Sequence, residues 1–102
     1  MPRYQLTNAA EKDLEAILDF GIEQFSIYAS IEYYDQLVAK FNDISISPKQ
    51  FPSRGQVREG CRVCSHRSHD IYFFDSAEVV LIVRILNRQN IESAVQAAFD
   101  NS

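Results

Sequence analysis

The chain has 102 residues, 46% of them hydrophobic and 24% charged, with a formal net charge of −4 at pH 7. That length fits a single domain over residues 1–102, and the acidic balance argues against strong non-specific binding of nucleic acid. No apolar run approaches the ~20 residues of a membrane helix, residues 1–5 lack a signal-peptide pattern, and two cysteines make no disulfide framework, so we expect a cytoplasmic protein.

The first half of the chain predicts a short strand and two helices. Residues 3–7 alternate as a strand does, and Asn8 with Glu11 three positions later predicts the cap of a first helix. Ser26 predicts the cap of a second helix, which Pro48 ends. Because the link between the helices is short, we expect an antiparallel hairpin. The apolar stripes predicted for the two helices are Leu14, Ile17, Leu18, Gly21, Ile22 and Phe25, and then Tyr34, Leu37, Val38, Phe41 and Ile44.

The second half of the chain predicts a sheet. Residues 48–60 hold prolines and glycines that indicate a loop, and strands are expected at 61–66, 69–74 and 78–87. The short gaps between them predict antiparallel hairpins, and the last strand, apolar on both faces, is expected to be central in the sheet or covered on both faces. Residues 90–99 predict a third helix, which either covers the sheet or acts as a mobile element. The order predicts an α+β fold, with a helical hairpin packed on a small antiparallel sheet.

Charge is divided unevenly along the chain. Residues 1–48 carry three basic and eight acidic side chains, whereas residues 49–88 carry seven basic and four acidic ones. The helical half is therefore acidic and the sheet half is rich in arginine. Such a basic half is suited to an acidic partner or a phosphate backbone.

Six short motifs follow one another along the chain. They are YQLTNAA at 4–10, DLEAI at 13–17, YYDQL with a later phenylalanine at 33–41, GCR at 60–62, HDIYF at 69–73 and IVRILN at 82–87. In this order and at this spacing they resemble the ParE branch of the RelE/ParE superfamily of bacterial toxins, over residues 4–90.

The resemblance implies the toxin of a type II toxin–antitoxin pair. Relatives with this pattern are known for inhibiting DNA gyrase by stabilising its complex with cleaved DNA, and a ParD-like antitoxin neutralises them through its C-terminal segment. This implies a protein–protein inhibitor and not an enzyme, with no cofactor, no sequence-specific contact to nucleic acid and no membrane association. Two alternatives stay open: a ribosome-dependent mRNA endoribonuclease of the RelE type, and an inactive module that only binds antitoxin.

Candidate contact residues follow from the arginine-rich half and from the resemblance. We expect the antitoxin to lie in the groove between the helical hairpin and the sheet, as an amphipathic helix or an added strand. Contacts with the target are expected at Arg62, Arg67, Arg84, Arg88, Ile91, Val95 and Phe99. Contacts with the antitoxin are expected at Leu18, Ile22, Tyr34, Arg58 and Tyr72.

Arg62 and Arg84 each have two interpretations. The functional one is a cationic patch for gyrase or for antitoxin carboxylates. The structural one is an ion pair with Asp70 or Asp75 at the end of the sheet. Arg84 interrupts an apolar run, where an unpaired charge is costly, so the structural interpretation is favoured there. For Arg62 both interpretations stay open.

A stretch rich in cysteine and histidine begins the sheet. Cys61, Cys64, His66 and His69 lie within nine residues and are of the types that bind zinc. Alternation along a strand places Cys61 and Cys64 on opposite faces, so an ordinary hairpin without metal is favoured. For His69, a strand histidine bonded to the backbone or to a carboxylate is favoured over a catalytic base, and no catalytic residue is predicted.

Overall fold

The computed structural model describes residues 3–76 and 78–88. Two helices pack on a four-stranded sheet, which confirms the predicted α+β class. The predicted helix over residues 90–99 lies outside the described residues. In chain order the elements are β1 (Tyr4–Leu6), α1 (Asn8–Gln24), α2 (Ile27–Ile46), a single 3-10 turn (Pro48–Gln50), β2 (Cys61–His66), β3 (His69–Asp75) and β4 (Val80–Asn87).

The strands lie in the order β1-β4-β3-β2. The pairs β2–β3 and β3–β4 are antiparallel, and β4 is central, as its two apolar faces predicted. In contrast, β1 runs parallel to β4, with Tyr4 opposite Val80, so the sheet is mixed. Parallel neighbours need a long connection, and here the helical hairpin and two strands separate β1 from β4.

The cap of the first helix lies one residue before the predicted position. Thr7, not Asn8, is the cap: its hydroxyl oxygen accepts a hydrogen bond from the Ala10 N–H at 3.0 Å. The same hydroxyl donates to the Val83 carbonyl at 2.9 Å, which fixes the start of α1 against β4. The predicted cap of α2 is confirmed, because the Ser26 side chain accepts from the Ala29 N–H at 3.0 Å.

Apolar side chains cover both faces of the sheet. On one face they meet the helices, where Leu37, Phe41 and Ile44 of α2 pack with Ile71 and Phe73 of the sheet. The opposite face carries a second buried cluster, formed by Val57, Cys61, Val63, Tyr72 and Val83. At roughly 25 cal/mol per Å² of apolar surface removed from water, these two clusters provide the main stabilisation of the fold.

The two helices lie in close contact at Gly21 and Ser30. A Cβ atom added at Gly21 would lie 2.5 Å from the Ser30 Oγ atom and 2.9 Å from its Cβ atom. The Ser30 hydroxyl donates to the Leu18 carbonyl at 2.6 Å. A glycine at this position therefore sets the spacing of the hairpin, and so the shape of the surfaces on its two sides.

Candidate protein-binding grooves

Two grooves lie between the helical hairpin and the sheet, one on each side of the hairpin. The β4 groove, of about 640 Å³, lies beside the ends of β3 and β4, and the β1 groove, of about 410 Å³, lies beside β1. The walls of the β4 groove include Ile17, Phe20, Phe25, Tyr33, Arg67 and His69. Those of the β1 groove include Tyr4, Glu11, Glu15, Leu18, Tyr34 and Val38.

The hairpin presents large apolar side chains to solvent at these grooves. Phe20 and Phe25, in the wall of the β4 groove, are 59% and 75% exposed. Ile22 and Tyr34, on the side of the β1 groove, are 40% and 37% exposed. The helical periodicity had placed Ile22 and Phe25 in the buried stripe of the first helix, and this prediction is wrong for both. Tyr34 lies on the predicted apolar face of the second helix and is exposed there.

One end of the β4 groove is polar. The Tyr33 hydroxyl lies 2.7 Å from His69 Nδ1, and the Tyr33 ring stacks on His66 at a centroid distance of 5.5 Å. His66 Nε2 lies 2.8 Å from Gln36 Oε1. Burial lowers the pKa of both histidines, because it disfavours the charged imidazolium, and burial raises the pKa of Tyr33. These neutral side chains tie α2 to the β2–β3 turn.

The turn at this end places Arg67 at the mouth of the β4 groove. Arg67 has a φ angle of 55°, a left-handed conformation that a two-residue hairpin turn requires. Its side chain is exposed. Arg88 follows β4 and bonds to Asp70 at 3.0 Å, with 48% of its side chain exposed. Arg67 therefore gives the mouth of the β4 groove a positive charge.

The β1 groove has the opposite charge. Glu11 and Glu15 lie on its rim, and Leu18, Tyr34 and Val38 form its apolar wall. It borders β1, which is an edge strand of the sheet. An edge strand offers main-chain donors and acceptors to an added strand.

A model of the family described as the ParE toxin of type II toxin–antitoxin systems, ParDE, matches residues 4–92. The chain belongs to this ParE toxin family. A solved structure described as the chromosomal ParDE toxin–antitoxin system from P. aeruginosa has the same fold, with a TM-score of 0.76 and 19% identity over 87% of this chain and 98% of that one. No curated protein matches the sequence.

Three of the predicted target-contact arginines of this ParE toxin already have partners. Arg62 donates from Nη1 to the Phe51 carbonyl at 2.7 Å. Arg84 forms the ion pair predicted for it, but with Asp13 of α1 at 2.7 Å and not with Asp70 or Asp75. The sequence offered no signal for that partner, because 71 positions separate the two residues.

Asp70, one of the two acids predicted for Arg84, instead pairs with Arg88. Arg62 and Arg84 do not lie on neighbouring strands either, since β3 separates β2 from β4. The four arginines thus form no single patch. Arg67 follows β2 at the mouth of the β4 groove and Arg88 is bonded to Asp70, whereas Arg62 lies at the other end of β2. The predicted contacts Ile91, Val95 and Phe99 lie outside the described residues.

The predicted antitoxin contacts are divided among three regions. Leu18, Ile22 and Tyr34 lie together on the hairpin, at or beside the β1 groove. Arg58 is exposed in the loop before β2. Tyr72 is 1% exposed, on the sheet face that points away from the helices, and burial raises its pKa to about 12. Tyr72 is thus a core residue in this conformation.

The two cysteines are buried free thiols on opposite faces of the sheet, as the alternation predicted. Burial raises the pKa of Cys61 to about 11 and also raises the pKa of Cys64. Within residues 3–76 and 78–88, no three His, Cys, Asp or Glu side chains are arranged to hold a metal ion. His69 bonds to a tyrosine, not to the backbone or to a carboxylate as expected. No helix in this part of the toxin is long and apolar enough to cross a membrane.

Proposed function

We propose that this toxin inhibits DNA gyrase in the cytoplasm by stabilising the complex of gyrase with cleaved DNA, and that a ParD-like antitoxin neutralises it. The match of the ParE toxin family to residues 4–92 carries this proposal. The toxin acts by binding, with two open apolar grooves of opposite charge as its contact surfaces.

The antitoxin binds at the β1 groove. The half-buried Leu18 and the exposed Tyr34 supply an apolar wall, exposed Ile22 lies one helical turn from Leu18, and Glu11 and Glu15 give the groove an acidic rim. Such a surface suits an amphipathic helix with basic residues on its flanks, followed by a segment that adds to the free edge of β1. Covering these side chains also removes their exposure to water, which favours a long-lived complex.

The surroundings of the histidine that a nuclease mechanism would use support a toxin that acts by binding and not by chemistry of its own side chains. His69 lies 2.7 Å from the Tyr33 hydroxyl, and burial lowers its pKa. A nuclease would also need a cation such as Arg84 to bind the phosphate, but two hydrogen bonds already hold Arg84 on the Asp13 carboxylate. These contacts support a structural role for both residues.

A supercoiling and DNA-cleavage assay with purified gyrase tests the target. Adding the toxin is expected to produce linear DNA in a dose-dependent manner. Arg67→Glu is expected to weaken the effect, whereas Lys49→Glu, an exposed charge reversal outside the β4 groove, is expected to leave it unchanged. Normal supercoiling and no linear DNA at a high excess of wild-type toxin would refute gyrase as the target.

Affinity for the antitoxin of the same operon tests the second half of the proposal. Tyr34→Ala together with Leu18→Ala is expected to weaken binding by about 10–100-fold, since a few central apolar residues carry most of an interface. Ile46→Ala, which removes an exposed isoleucine outside both grooves, serves as the control. Equal affinity of the double variant and the control would place the antitoxin elsewhere.

A further inference from the structure

The β4 groove has the size and lining of a binding site. Its volume of about 640 Å³ lies in the range of ~300–1,000 Å³ that is typical of ligand pockets. Phe20 and Phe25 stand in its wall with more than half of their surface exposed, and Ile17 and Ile85 line it from α1 and β4. Adjacent exposed aromatic side chains of this kind mark surfaces that a partner covers.

The charge at the mouth of the groove selects the partner. Arg67 is exposed there, and both Arg67 and Arg88 act electrostatically on the Tyr33 hydroxyl in the wall. Among the described lining residues, Asp13 is the one carboxylate, and it is neutralised by its two hydrogen bonds to Arg84. The described part of the groove thus combines an apolar wall with a net positive mouth.

We propose that the β4 groove binds a segment of the toxin's target enzyme that packs a large apolar side chain against Phe20 and Phe25 and places a carboxylate beside Arg67. The inference rests on the function proposed above, because it requires that the chain has a target. It adds the site on the toxin and the chemistry of the segment that the site recognises.

Opposite charges separate this surface from the one assigned to the antitoxin. The rim of the β1 groove carries Glu11 and Glu15, whereas the mouth of the β4 groove carries Arg67. A basic segment that suits the β1 groove is repelled at the β4 groove, and an acidic one is repelled at the β1 groove. The hairpin thus presents one side to each of two partners of different charge.

A fluorescent aromatic anion tests the chemistry of the groove directly. Anilinonaphthalene sulfonate combines a ring system with a negative charge, and we expect it to bind the toxin at one saturable site. Phe25→Ser and Arg67→Glu are each expected to weaken dye binding about tenfold or more, whereas Ile46→Ser, at an exposed isoleucine outside the groove, leaves it unchanged. Equal dye binding by all four proteins would overturn the assignment.

A second experiment separates the target from the antitoxin. Phe25→Ser and Arg67→Glu toxins are expressed in cells, and their affinity for the antitoxin is measured with purified proteins. We expect growth arrest to be lost while the affinity for the antitoxin stays within about twofold of wild type. Both side chains are exposed, so thermal unfolding of the variants is expected to match that of wild type.

Each other outcome has a definite meaning. Loss of antitoxin affinity in these variants would assign the β4 groove to the antitoxin. If the wild-type toxin forms a dimer in solution and the variants do not, the groove would be assigned to a second copy of the chain. Full growth arrest by the variants would show that the groove does not bind the target. Absence of growth arrest by wild type would instead refute the proposed function, and the dye experiment would still decide the chemistry of the groove.

Discussion

Asp13 and Arg84 join the first helix to the central strand. Arg84 Nε donates to Asp13 Oδ2 at 2.7 Å, and Arg84 Nη2 donates to Asp13 Oδ1 at 2.9 Å. Asp13 Oδ2 also accepts from the Ile85 N–H at 3.0 Å. Beyond Leu6 the strand β1 ends, so among the described residues β4 has no neighbouring strand on that side, and the carboxylate takes the place of the missing partner. The same bonds hold α1 at the wall of the β4 groove.

Replacing Asp13 by alanine tests this role. We expect Asp13→Ala to lower the free energy of unfolding by about 2–4 kcal/mol, because it leaves a largely buried guanidinium and a main-chain N–H without their acceptor. Urea denaturation measures the change. Asp19→Ala, an exposed acid on the same helix, is the control and is expected to have little effect. Equal stability of the two variants would show that the Asp13 bonds contribute nothing.

Replacing Gly21 tests the spacing of the hairpin. Gly21→Ala gains about 1 kcal/mol in helix propensity, yet its methyl group would lie 2.5 Å from Ser30 Oγ, so we expect a net loss of about 1–3 kcal/mol. Thermal unfolding measures this loss. Gly55→Ala, where the nearest atom lies 3.8 Å away, is expected to be neutral. A more stable Gly21→Ala protein would mean that the helices separate at no cost.

The buried cysteines predict a response to alkaline pH. A thiol whose pKa is higher in the folded protein than in the unfolded chain stabilises the fold. This stabilisation is fully present below the pKa of the unfolded chain and is lost as the pH rises through the pKa of the folded protein. For Cys61, with a folded pKa of about 11 against 9.0, the free energy of unfolding is expected to fall by about 1–3 kcal/mol between pH 9 and 11. Denaturation curves of wild type and Cys61→Ala across this range measure it. Parallel pH profiles for the two proteins would contradict the prediction.

The same burial predicts slow thiol chemistry. Cys61 and Cys64 are 0% and 3% exposed, so a thiol reagent such as dithionitrobenzoate is expected to label neither in the native toxin and both after denaturation. Ser53→Cys, at an exposed position, supplies a control thiol that reacts at once. Rapid labelling of the native wild-type toxin would show that the sheet opens readily.

Acid pH is expected to weaken the contact between α2 and the β2–β3 turn. A histidine whose pKa is lower in the folded protein than in the unfolded chain stabilises the fold above the unfolded pKa of about 6.5. This stabilisation is lost as the pH falls through the pKa of the folded protein. The free energy of unfolding is therefore expected to decrease from about pH 7.5 to 5. The double variant His66→Gln, His69→Gln is expected to show a flatter profile over this range. An unchanged slope in the double variant would assign the acid sensitivity to other groups.

The sequence alone determined the class of fold, the three strands of the second half and the membership of the toxin family. Each of these depends on local patterns: helical spacing in residues 8–46, alternation in the strands, and Ser26 and Pro48 at the ends of a helix. Such patterns extend over a few neighbouring residues, so they can be seen without knowing what the chain folds against.

Only the tertiary structure decided which residues meet. Asp13 as the partner of Arg84, β1 beside β4, and Tyr33 against His69 all join positions that are distant in the sequence. The two grooves and their opposite charges also depend on how the hairpin packs on the sheet, and Phe25 is exposed although its helical position predicted burial. Burial is set by packing between distant segments, and periodicity within one helix does not contain that information.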